Sequence, residues 1–90
     1  MHTGVVGMNS MLVEYLHSKL TAKDRVIAKR LLCSNTVHVE HSRDTGRWLW
    51  VVDIGEDFWL NDFTTKAAAV KWIKQAGLMN RTIIGMRKDR

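Results

Sequence analysis

The sequence predicts a single α+β domain over residues 1–90: N-terminal helices, a three-stranded antiparallel sheet, one helix packed across it and a short added edge strand near the C-terminus. Three observations carry that expectation. Apolar residues recur at helical spacing through the first third, the period changes to two at Thr36, and an alanine-rich segment closed by Ala76-Gly77-Leu78 follows the last aromatic run. A chain of 90 residues has little room for both a stable core and a deep catalytic cleft, so a non-catalytic binding protein is expected rather than an enzyme.

Residues 9–34 read as helical and residues 1–8 as disordered. Leu12, Tyr15, Leu16 and Leu20, with Met11, form an apolar stripe behind Asn9-Ser10, either of which can cap the first turn. Thr21 with Asp24 resembles a capping box and opens a second repeat of Val26, Ile27, Leu31 and Leu32, so two short helices or one kinked helix both fit. The pair also permits a helix-turn-helix reading, against the plainer reading of an amphipathic pair with a solvated basic face.

Residues 36–62 alternate as strands. Val37 and Val39 point one way; Arg43-Asp44-Thr45-Gly46 supplies turn chemistry; Trp48, Trp50, Val52 and Ile54 share a face opposite Arg47, Leu49, Val51 and Asp53. After Gly55-Glu56-Asp57, Phe58 and Leu60 continue the apolar face and Trp59 points away. Thr64 or Thr65 then caps a helix over residues 64–77, with Ala69, Trp72, Ile73 and Ala76 inward, Lys66, Lys71 and Lys74 outward, and Gly77 as the stop. The tryptophans are expected to build the core, each large side chain contributing on the order of 2–3 kcal/mol. Residues 81–90 read as a basic tail in which Thr82-Ile83-Ile84 adds a short edge strand.

Charge is unevenly placed. The net charge is +5, but residues 1–39 carry +3, residues 40–62 carry −4 and residues 63–90 carry +6. An anionic partner is therefore expected to meet the helices and the tail rather than the middle of the sheet. The single cysteine, Cys33, is expected to be a buried free thiol in a reducing compartment, most simply the cytoplasm. No apolar run approaches the roughly 20 residues that cross a bilayer. Residues 1–7 lack the basic start and apolar core of a signal peptide, and Met8 and Met11 are alternative starts.

Chemistry finds little purchase in this sequence. His38-x-x-His41 lies on one strand, where positions three apart face opposite ways, and no cysteine pair or His-Glu motif adds metal ligands. Cross-strand carboxylates such as Glu40 and Asp53 read as surface charge, and there is no glycine-rich phosphate loop or nucleophile motif. No metal and no cofactor are expected.

Gly46-Arg47-Trp48, followed by Trp59-Leu60-x-x-Phe63-x-Thr65 leading into an alanine-rich helix, resembles the DNA-binding domain of plant ethylene-response factors and its relatives in phage integrases and homing endonucleases. The resemblance covers residues 37–78. It implies a sheet face lying in the DNA major groove, with Arg43 and Trp59 on contact positions and His38 and His41 where the family has arginines. Val51 stands in place of a contacting acid, Asp53 and Asp57 in place of arginines, and Asn61-Asp62 in place of Gly-Thr. The layout of helix, three strands and helix also resembles double-stranded-RNA-binding domains, which set the start of their last helix against phosphates.

Because acids replace the groove-reading arginines, nucleic acid is expected to be contacted by Arg43, Lys66, Lys71, Lys74, Arg81, Arg87 and Lys88. The chain would then be a small binding protein of phage or mobile-element type. The alternative is a protein partner, such as a host protein or ribonucleoprotein complex. It would meet an exposed aromatic face formed by Trp59, Arg47, Leu49, Val51 and Asp57, a central anchor with a charged rim. That face would also serve a homodimer, or an inhibitor similar in size and style to compact phage-encoded anti-defence proteins such as anti-CRISPR proteins.

Overall fold

The computed structural model describes residues 9–44, 46–55 and 58–89. Along the chain come α1 (Ser10–Lys19), α2 (Ala22–Ser34), β1 (Val37–Asp44), β2 (Arg47–Ile54), β3 (Phe58–Phe63), α3 (Lys66–Gln75), a 3-10 turn (Met79–Arg81) and β4 (Thr82–Asp89).

Local chemistry sets the helix ends. The Asn9 side-chain oxygen accepts from the Leu12 amide at 2.9 Å, while its amide nitrogen donates to the Gln75 carbonyl at 2.8 Å and ties the start of α1 to the end of α3. Thr21 and Thr65 accept from the amides of Asp24 and Ala68 in the same way. Residues 9–34 thus form two helices, separated by an extended Leu20-Thr21. At the other end of α3, Gly77 takes a φ of +74°, its amide donates to Lys74 and the Leu78 amide donates to Ile73. This reciprocal pair is a Schellman stop, and it lowers Leu78 into the core beside Ile73.

The sheet corrects the expected one. It has four strands in the order β3-β2-β1-β4, and β4 runs parallel to β1, so a mixed sheet replaces the three-stranded antiparallel one. Residues expected as a basic tail pair with β1 from Val37↔Thr82 to Arg43↔Asp89, well beyond the short Thr82–Ile84 edge. Geometry explains the placement. Leaving β3, the chain must pass three inter-strand spacings, about 14 Å, to reach the free side of β1. The ten residues of α3, about 15 Å of helix, cover that distance and touch β3, β2 and β1 on the way. Gly85, at φ +102°, is the extra residue where the β1–β4 register shifts between Val39 and Glu40.

All three helices contribute to a cluster with one face of the sheet. Leu12, Leu16, Ala28, Leu32, Ala69, Ile73 and Ala76 meet Val37, Val39, Val52, Ile54 and Leu60. The core is aliphatic, which corrects the expectation of a tryptophan core: Trp50, Trp72, Phe58 and Phe63 are only partly buried at its margin, and Trp48 lies outside it. Val26, expected on the inner stripe of α2, is exposed, because Ala28 and Leu32, four residues apart, take that face.

Tyr15 links α1 to the β3 edge. Its hydroxyl donates to the Leu60 carbonyl at 2.7 Å, and its ring meets Trp72 edge-on at 5.0 Å. Burial, and then the Asp62 carboxylate, push the Tyr15 hydroxyl above its ordinary pKa of 10.0. A raised folded-state value means a stability contribution fully present below pH 10 and lost as pH rises through the folded value. Tyr15→Phe should therefore cost about 0.5–1.5 kcal/mol at neutral pH and flatten the loss of stability above pH 10. Urea melts of both proteins across that range check this, and identical pH profiles would refute it.

Candidate nucleic-acid interface

The β1–β2 hairpin runs beyond the helical layer. Along β2, Val51–Ile54 are buried, Trp48–Trp50 half-buried and Arg47 exposed. β3 stops opposite Trp50, so the first three residues of β2 have β1 on one side and no strand on the other among the described residues. The helix-side face therefore changes character along its length, from aliphatic core to a half-open end.

That end carries a run of three rings with a cation at each end. The pairing of Asp44 with Arg47 places His41 opposite Trp50 and Arg43 opposite Trp48. The His41 ring stacks on Trp50 at 4.5 Å between centroids and 9° between planes, and meets Trp48 at 4.6 Å and 39°. The Lys66 ammonium lies 5.7 Å from the centre of the Trp50 ring. Lys66 opens α3, the helix end at which a cation is disfavoured, and the electron-rich ring face offsets that cost. Arg43 is exposed on the far side of the ladder. In register, β4 brings Arg87 beside His41 and Lys88 beside Ser42.

Of the other expected phosphate contacts, Lys71 and Lys74 are exposed on α3, three residues apart and so on one face. Arg81 is not available in the same way. Its guanidinium donates to the Leu32 carbonyl and, at 3.4 Å, to that of Asn35. Those carbonyls end α2 and have no helical partner, so Arg81 joins α2 to the start of β4. Beside it a shallow polar groove is lined by Cys33, Ser34, Asn35, Asn80 and Thr82. Cys33, expected to be buried, is exposed there.

The opposite sheet face differs from the open aromatic patch expected of it. Val51, on this face by strand alternation, is fully buried; Leu49 and Trp59 are half-buried, and Arg47 is exposed. The Trp59 indole N–H donates to the Asp62 carboxylate at 3.0 Å. Asp57 lies outside the described residues. Glu40 and Asp53, expected as surface charge, are buried on this face together with Ser42, and His38 stands directly opposite Asp53. His38 and His41 thus lie on opposite faces, and among the described residues no group of three or more His, Cys, Asp or Glu is placed to hold a metal ion.

His41 was the residue whose part the sequence concealed. Its signal was the two-residue gap between Asp44 and Arg47, since counting outward from that turn pairs 43 with 48 and 41 with 50.

Compared with known protein families, curated proteins and solved structures, the chain has no match. The resemblance to ethylene-response-factor and integrase domains rests on sequence motifs alone. Among the described residues no helix is long and apolar enough to cross a membrane.

Proposed function

We propose that this protein is a non-catalytic nucleic-acid-binding domain. Its binding surface is the open end of the helix-side sheet face together with the exposed lysines of α3. One observation carries the reading: the succession Lys66, Trp50, His41, Trp48, Arg43, in which three rings in contact, Trp50 and His41 stacked and Trp48 tilted against His41, lie between two cations. Cations meet phosphate and rings meet bases, and nucleic acid presents both within one residue of its own length. The net charge of +5 favours the same partner.

This reading moves the surface from the face that groove-reading relatives use to the opposite one. The acids Asp53 and Asp62 lie on the outer face, away from the proposed strand path. A protein partner at Trp59 has weaker support, because its indole N–H already engages Asp62 and Val51 is covered.

Fluorescence anisotropy of a labelled oligonucleotide, titrated at several salt concentrations, tests the reading. The affinity should fall linearly on a log–log plot as salt rises. Absence of binding to any single-stranded or duplex oligonucleotide at low salt would sink it.

A further inference from the structure

We infer that nucleic-acid binding at the ring ladder is controlled by pH through His41, tightening as its imidazole gains a proton. The inference rests on the nucleic-acid reading above and adds how that same site is regulated. His41 is the middle ring. Its plane lies 9° from that of Trp50 at 4.5 Å between centroids, and it meets Trp48 at 4.6 Å and 39°. A phenyl ring in that place would stack as well. An imidazole adds one property, a positive charge that comes and goes between about pH 5 and 8. The electron-rich indoles on its two sides attract such a charge, as the Trp50 ring attracts Lys66.

The charged groups around the ring set the sign of the coupling. Arg43 follows on the same face of β1, Lys66 stands at the start of α3 against Trp50, and β4 places Arg87 beside His41 and Asp89 beside Arg43. From β2 the ring meets Trp48 and Trp50, which carry no charge. Three cations and one acid thus repel a further positive charge that the indoles attract. A bound phosphate changes that balance. It offsets the repulsion among the cations and adds an attraction of its own, so the imidazolium is favoured more in the complex than in the free protein. By linkage, a ligand that favours the protonated state binds more tightly as pH falls. Two other histidines have a different setting: His17 is exposed in the last turn of α1, and His38 lies on the opposite sheet face.

Fluorescence anisotropy with a labelled oligothymidine and a labelled duplex, at about 100 mM salt and from about pH 8 down to about pH 5.5, tests the inference. One added charge steepens the salt dependence by about 0.7 for a single strand or about 0.9 for a duplex, so wild-type affinity should rise about five- to tenfold over that range. His41→Phe keeps a ring in the ladder and should remove the rise, whereas His17→Gln should retain it. A wild-type affinity that does not rise, or a His41→Phe variant that follows the wild-type pH profile, would overturn the inference while leaving nucleic-acid binding intact. Failure to bind either oligonucleotide at low salt would overturn both. Nuclear magnetic resonance supplies a reading that needs no variant. The His41 imidazole, identified by its contacts with the two indoles, should titrate at a higher pH with the tighter-binding oligonucleotide present than without it. An unmoved midpoint would overturn the inference even if His41→Phe does not fold.

Discussion

Replacing Ile73 by alanine is expected to destabilise this domain by about 2–5 kcal/mol, the range for a buried isoleucine truncated to a methyl group. Ile73 is fully buried where α3 crosses the sheet, and its carbonyl also accepts the Leu78 amide that closes the Schellman stop. Loss of its side chain removes contacts from α3 and loosens the seat of Leu78 together. A chain of this size has a total stability on the order of 5–10 kcal/mol, so the variant should approach the edge of folding. Its thermal midpoint should fall by roughly 10–30 °C. Calorimetry or circular dichroism checks this, and a shift of only a few degrees would mean that α3 is not seated as described.

The combined substitution Arg43→Gln and Lys66→Gln should have the largest effect on binding. Both side chains are exposed at the ends of the ring ladder, so removing their charges should leave the fold nearly untouched. For a single strand each lost phosphate contact lowers the slope of log affinity against log salt by about 0.7, so the pair should flatten it by about 1.4. At 50 mM salt the same arithmetic gives an affinity loss on the order of 10- to 100-fold. The variant's melting temperature supplies the control. An unchanged salt slope would place the phosphate contacts elsewhere on the molecule. Arg81 offers a contrast, because its charge caps α2 and its loss should register in stability rather than in salt dependence.

The parts of the fold that depend on near neighbours could be read directly. Asn9, Thr21 and Thr65 cap helices through amides three residues away, and Gly77 stops α3 through bonds that reach back no further than Ile73. The alternation of Trp50, Val52 and Ile54 with Val51 and Asp53 assigned faces to β2 because a strand has a period of two. Half of the ring ladder was also within reach, since the short β1–β2 turn sets His41 against Trp50.

Other features depend on where distant segments come to rest. Thr82–Asp89 breaks its alternation at Gly85 and ends in charged residues, a local pattern that resembles a tail, yet it completes the sheet because α3 delivers it to the free side of β1. The four tryptophans suggested an aromatic core, but the helices cover only part of the sheet, so the aliphatic residues fill the centre and Trp48 is left at the open end. Arg81 looked like a phosphate ligand until the end of α2 was brought beside it. Periodicity and capping act over one helical turn or one strand step, so residue order alone establishes the elements and their apolar faces. Coverage, edge pairing and the company a charged or aromatic side chain keeps arise between segments far apart in the chain. Those are the properties that separate a core ring from one at the margin, and they exist only once the helices have settled on the sheet.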